Sequence, residues 1–245
     1  MINLNHETHT YFNDEKPNVK YTSVTTVLGE YKEKFDEHFH AQRVADRKGV
    51  EKEQILAEWK EINRVANEYG TNLHAILEKY LLAKNNIYTP RDNFEKTVIR
   101  AFRECCMDEK LSIIGSNSVH PERIMSIEFN DELGIAGTSD IIEDIDKDRF
   151  NVWDFKTNKK FNYDNDFAQY MYFPVDHLVY SQYTTYCLQI SIYGVMYEKE
   201  TGKRFNRGGL FYWDKNLEIF KLIPVPYMKK EAELIIQHYK LKLGV

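Results

Sequence analysis

The chain has 245 residues and a formal net charge of −5, with 42% hydrophobic and 29% charged residues. That is ordinary for a water-soluble globular protein large enough to bury a core. No run of about 18 apolar residues occurs, so a transmembrane helix is excluded. The first seven residues lack the basic start and apolar stretch of a secretory signal, so a cytoplasmic protein, in a bacterium or a phage-infected host, is expected. The three cysteines, Cys105, Cys106 and Cys187, form no Cys-x-x-Cys pair. This argues against structural zinc or an iron–sulfur cluster and for buried free thiols. The acidic balance argues against a protein that merely coats nucleic acid.

The first thirty residues read as extended, and Tyr21 to Leu28 is rich in β-branched and hydroxyl side chains. A helical region follows from Asp36 to Ala83. Ile55, Leu56, Trp59, Ile62, Val65, Ala66 and Tyr69 recur at three- and four-residue steps, as on an amphipathic helix. Gly70 is expected to interrupt it, with Thr71 or Asn72 capping a new helix that carries Leu73, Ile76, Leu77, Tyr80 and Leu81. After a break at Pro90, another helix spans about Asn93 to Cys106. Strand signals then take over, at Ile124–Phe129, Ile135–Glu143 and Phe150–Lys156, with turns at Asn130–Gly134 and Asp144–Arg149. Thr184 to Lys199 is apolar nearly all round and predicts a buried helix. A hairpin (Gly208–Trp213, Leu217–Val225) and a last amphipathic helix (Tyr227–Leu241) close the chain. The pattern is that of one α/β domain over 1–245, with a mainly helical part (1–110) before an α/β core (111–245).

The chemistry concentrates in Gly137-Thr138-Ser139-Asp140 and, thirteen residues on, Asp154-Phe155-Lys156. Alternation along a strand puts Asp154 and Lys156 on one face, Trp153 and Phe155 on the other. A hairpin turning near Asp146 sets Asp140 opposite Val152 and diagonal to Asp154. A one-residue slip would turn Asp140 to the other face. Two carboxylates beside a lysine suit a hard divalent cation that activates water against a phosphodiester. Lys156 would orient or deprotonate that water, or neutralise charge on phosphorus. An exposed cross-strand charge pattern is the competing reading, but Val152, Trp153 and Phe155 place these charges in a buried sheet, where charge needs a partner or a metal.

These residues resemble the core motif of the PD-(D/E)xK nuclease superfamily. Gln189-Ile190-Ser191-Ile192-Tyr193 is similar to the Gln-x-x-x-Tyr motif of its RecB-like branch, and Gly70-Thr71-Asn72-Leu73-His74 to that branch's Gly-x-x-x-His helix. Tyr21–Leu28 is similar to a segment of phage exonucleases and of the mitochondrial genome maintenance exonuclease. The resemblance covers residues 20–225 and implies a restriction-endonuclease-like core: a central mixed sheet flanked by helices. It implies a Mg²⁺- or Mn²⁺-dependent deoxyribonuclease acting on DNA ends, in phage-type recombination, replication or repair, alongside a recombinase, single-strand-binding protein or helicase. A flap or branch endonuclease and a non-catalytic end-binding protein are the alternatives.

By that resemblance Asp140 and Asp154 bind metal, Lys156 serves catalysis, His74 approaches the metal, and Gln189 organises the site beside Tyr193. From its helix position alone, His74 lies about 100° from Leu73, at the edge of the apolar stripe, where a packed or capping histidine is the plain reading. Glu128 is either a further metal ligand or an exposed strand carboxylate. Thr157, Ser23 and Thr25 offer hydroxyls for phosphate contacts. The segment from Phe161 to Tyr186 has no Lys or Arg but carries Tyr163, Phe167, Tyr170, Tyr172, Phe173, Tyr180 and Tyr183, which either pack or stack on unpaired bases.

Overall fold

A computed structural model describes residues 2–5, 8, 10–84, 88–165 and 169–245. Phe167 therefore lies outside the described residues. A six-stranded mixed sheet forms the centre, built of β3 (Lys20–Ser23), β4 (Val119–Glu128), β5 (Leu133–Asp144), β6 (Arg149–Lys156), β7 (Arg204–Asp214) and β8 (Ile219–Val225). A small hairpin, β1 (Ile2–Asn5) with β2 (Thr10–Asn13), forms a separate sheet packed against β3 and β4.

Helices cover both faces. On one lie α1 (Val24–Gly29), α5 (Gln182–Thr201) and α6 (Lys229–Lys242), over a cluster including Ile142, Val152, Leu188, Leu210 and Ile235. On the other lie α3 (Lys52–Leu82) and α4 (Asn93–Asp108), over Ile141, Trp153, Phe155, Phe211 and Phe102. Across the β5–β6 hairpin, Ile142, Phe150 and Val152 thus feed one cluster and Ile141, Trp153 and Phe155 the other, the alternation expected of strands buried on both sides. The fold is α/β with a mixed central sheet between helical layers. Cys105, Cys106 and Cys187 are buried free thiols. Among the described residues no helix is long and apolar enough to cross a membrane.

Three local expectations change. The first thirty residues are not extended throughout: Ser23 accepts the Thr26 N–H (3.1 Å) and starts α1, the capping bond that hydroxyl-rich segments offer. Gly70 does not break its helix, for α3 runs through it for 31 residues. Its propensity cost of about 1 kcal/mol is offset by the close packing that the absent side chain permits. The stripe on the first half of α3 is mostly not core. Ile55 is buried with Ala41 and Ala45 of α2 (Glu37–Lys48), whereas Ile62 and Val65 are exposed.

The feature that positions the site is a fork in the sheet. β4 covers one edge of β5 along nearly its whole length, from Glu128↔Gly134 to Val119↔Glu143. The other edge is shared: β3 pairs with Leu133–Ala136 in parallel, and β6 with Ile141–Asp144 in antiparallel. Between these two partners, residues 137–140 of β5 have no ladder pairing on that edge among the described residues. The Gly-Thr-Ser-Asp segment fills this gap.

Candidate active site

The hairpin register is Ile142↔Val152 and Ile141↔Trp153, which continues to place Asp140 opposite Asp154. The expected pairing of Asp140 with Val152 is therefore off by two residues. An even slip preserves the face, so the two carboxylates still converge. Asp140 Oδ2 accepts the Phe155 N–H (2.5 Å), so the side chain takes the place of the ladder bond that the fork leaves out.

Four elements supply the residues expected from the sequence. From β5 comes Asp140 and from β6 come Asp154 and Lys156, whose ammonium forms an ion pair with Asp154. From α5, Gln189 Oε1 accepts from Lys156 Nζ (3.2 Å), while its Nε2 donates to the Tyr193 hydroxyl (3.0 Å), which fixes the amide's orientation. The Tyr186 ring lies 4.5 Å from Lys156 Nζ, a cation–π contact. From α3, on the opposite face, His74 Nδ1 meets Asp140 Oδ1 at 3.1 Å, with its ring edge-on to Phe155.

Two glycines explain how the helices come so close. A Cβ on Gly137 would sit 2.5 Å from the Tyr193 ring, and one on Gly70 would sit 3.0 Å from Thr157 Oγ1. The first lets α5 press Tyr193 against the fork. The second lets α3 cross the end of β6 and hold His74 over it.

A third acid belongs to the cluster and was missed from the sequence. Glu122 stands on β4 between Pro121, paired with Ile141, and Arg123, paired with Ser139, which places it across from Asp140. Its φ is +47°, a left-handed backbone rare for a side chain of this kind, costing about 1–3 kcal/mol. Ligand atoms of His74, Glu122 and Asp140 all lie within 4.8 Å of one another. A signal was available: the turn around Asp131 that pairs Glu128 with Gly134 also sets 122 opposite 140. Pro121 hid it, because a proline here argues for starting the strand after it.

Glu128, expected as an extra ligand, is not brought to the cluster. It accepts from Tyr21 (2.8 Å) and pairs with Lys16, and its partner Gly134 lies six residues, ~20 Å, from Asp140 along β5. Ser23 and Thr25 sit at the cap of α1, hydrogen-bonded to each other (3.0 Å), where β3 ends beside Ala136. Thr157 is half-buried against α3. Of the aromatic segment, Tyr163, Tyr170, Tyr172 and Phe173 are exposed, while Tyr180 and Tyr183 pack on the core.

The electrostatics are those of too many carboxylates in a dry site. Burial pushes Asp154 up to about 6, with the Asp140 charge adding to it against the pull of Lys156. Burial, then Asp140, pushes Glu122 up to about 8, and Glu78, one turn beyond His74 on α3, contributes. Asp140 moves down: burial would raise it, but His74, Lys156 and the Phe155 N–H outweigh that. His74 is carried up to about 9, burial being overcome by Asp140. Two carboxylates forced apart in this way mark a site built for charge chemistry.

A divalent cation fits these residues. Asp154 Oδ2 is buried, touches the Lys156 ammonium, and accepts no well-aligned hydrogen bond. The Asp140 and Glu122 carboxylates and the His74 imidazole share one reach, and Asp154 stands beside them, an oxygen-rich donor set of the kind hard cations take.

An oxygen-rich cluster with a lysine, at a fork of a mixed α/β sheet, is a candidate site for metal-assisted phosphodiester hydrolysis. The chain belongs to the PD-(D/E)XK nuclease superfamily, whose family model matches residues 38–242. Membership implies a nucleic-acid substrate and use of a divalent metal. No curated protein matches the sequence significantly. Among solved structures, an exonuclease candidate from Eubacterium rectale is 14% identical with a TM-score of 0.45, covering 100% of this chain and 86% of that one. The protein SSO0001 is 16% identical with a TM-score of 0.32, over 60% of each chain, so the match spans 60% of that protein's length.

Proposed function

We propose that this protein is a Mg²⁺- or Mn²⁺-dependent deoxyribonuclease of the RecB-like branch, acting as an exonuclease on DNA ends. Recombination, replication or repair of the phage type is the setting this reading suggests. The observation that carries it is the assembly of Asp140, Asp154, Lys156, His74 and Gln189, from two strands and two helices on opposite faces, into one buried cluster.

Asp140, Asp154 and Glu122 would hold the metal, with His74 beside them. When bound, the ion supplies a polarised phosphate and a more acidic water. Lys156 faces Asp154 and Asp140, which overcome burial and raise its pKa, so it works as a fixed positive charge. That favours orienting the attacking water and stabilising charge on the phosphorane over accepting a proton. Gln189 holds the ammonium in place through Tyr193.

End-labelled linear DNA and closed circular DNA, each single- and double-stranded, are incubated with Mg²⁺ or Mn²⁺. Loss of linear DNA alone, lowered by roughly 10²–10⁴-fold in Lys156→Ala and Asp154→Asn, is the expected result. Cutting of the closed circle would make it an endonuclease, and no cleavage by the native sequence sinks the enzymatic reading.

A further inference from the structure

Beside the catalytic cluster lies a cavity of about 680 Å³ that the chemistry above does not use. Its walls come from residues 160–165, which follow β6, and from residues 180–186 at the start of α5. Four rings line it: Phe161, Tyr163, Tyr180 and Tyr186. Two cations stand with them, the half-buried Lys32, whose ammonium lies 5.5 Å from the Tyr180 ring, and the exposed Lys160. Asn162, Gln182 and the helix-capping Ser181 add hydrogen-bonding groups, and Asp164 is the carboxylate on the wall.

The cavity shares a wall with the reacting centre. The Tyr186 ring lines the cavity and also carries Lys156 Nζ 4.5 Å from its centroid. Whatever rests against Tyr186 inside the cavity touches a ring that also contacts the lysine.

We infer that this cavity binds an unpaired nucleotide of the substrate strand next to the scissile phosphate, so that the enzyme selects single-stranded DNA. The inference rests on the nuclease reading and names its substrate class. The volume falls in the range of about 300–1,000 Å³ usual for small-ligand sites. Rings offer stacking to any base, and cations beside them take the flanking phosphates, the combination used for single strands without sequence preference. A base inside a duplex already has its faces and edge occupied and would have to unpair first. Burial lowers the pKa of Lys32, whose ammonium lies over the Tyr180 ring on the cavity wall. Tyr163 is 53% exposed and leans on Phe161 (ring centroids 4.8 Å) and Tyr183 (5.2 Å), so its ring is held at the mouth with a face open to solvent.

The test uses fluorescence anisotropy of a labelled twelve-nucleotide thymidine strand and of a twelve-base-pair duplex, in EDTA so that neither is cut. The native sequence is expected to bind the single strand more tightly. Tyr163→Ala should weaken single-strand binding by roughly ten-fold and leave duplex binding within about two-fold, while Tyr163→Phe, which keeps the ring, should bind as the native protein does. Lys160→Ala should weaken single-strand binding and make its log–log salt slope shallower by about 0.7. Thermal melts matching the native one establish that the variants fold; should Tyr163→Ala not fold, the Phe and Lys160 variants decide. Equal binding of strand and duplex, no measurable single-strand binding, or Tyr163→Ala and Lys160→Ala both binding like the native protein would overturn the inference. Cleavage in Mg²⁺ is scored separately. Binding as expected without cleavage counts against the nuclease reading, and cleavage with unaffected variants counts against the cavity alone.

Discussion

At the scale of single residues, the site is an imbalance of charge waiting for a cation. Among the described residues, Lys156 and His74 are the cations that act on Asp140 and Asp154, and burial raises the cost of every uncompensated negative charge. The pH consequence follows from the directions. Asp154 and Glu122 have folded pKa values of about 6 and about 8, above their ordinary 3.8 and 4.5. The metal-free fold therefore holds these protons more tightly than the unfolded chain, and that stability is complete at low pH and lost as pH rises through those values. His74, raised from 6.5 to about 9, adds stability that is complete below 6.5 and lost through 9. The metal competes with the same protons, so the rise in Tm on adding Mg²⁺ or Mn²⁺ should be small at pH 5.5 and larger at pH 8. A shift independent of pH would show that these groups do not take the metal. Glu122→Gln removes one negative donor while keeping the shape. The metal concentration for half-maximal cleavage should rise by roughly ten-fold or more, and an unchanged metal titration would take Glu122 out of the site.

At the scale of elements, the fork in the sheet and two glycine contacts decide the geometry. α5 approaches β5 only because Gly137 leaves room for the Tyr193 ring. Gly137→Ala would drive a methyl into that ring and shift the Tyr193–Gln189–Lys156 chain of hydrogen bonds. A stability loss of about 1–3 kcal/mol is expected, together with a fall in kcat larger than the melt alone accounts for. A variant with native activity would mean that Tyr193 can move without carrying Gln189. Much of this scale was legible in the sequence. The 137–140 and 154–156 strands, the buried α5 and the closing hairpin follow from period-2 and all-round apolar patterns. Glu122 was not, because Pro121 and a left-handed backbone both mask a strand from pattern reading. Nor was the continuity of α3 through Gly70, since propensity sees the missing side chain but not the Thr157 contact that requires it.

At the scale of the whole molecule, the cradle is assembled from β4, β5, β6, α3 and α5, and it sits between two hydrophobic clusters that owe nothing to a metal. The scaffold should therefore stand without its ion. Chelation is expected to abolish cleavage while the far-UV circular dichroism and a cooperative melt persist, restored by adding metal back. Loss of secondary structure on chelation would instead make the metal a folding element, as in small zinc domains.

The sequence by itself determined the α/β class, the hairpin that carries Asp140, Asp154 and Lys156, and the face on which they lie. Those features depend on local alternation, which survives even a two-residue error of register. Only the tertiary structure decided which other groups join them. It brought His74 from the far face to Asp140, set Glu122 rather than Glu128 across from Asp140, and gave Lys156 a ring, Tyr186, that also lines a cavity. Such juxtapositions join residues 15 to 66 positions apart in the chain, as in Phe155 with Asp140 and His74 with Asp140. They are fixed by how helices pack on a sheet, and a one-dimensional pattern carries no record of that packing.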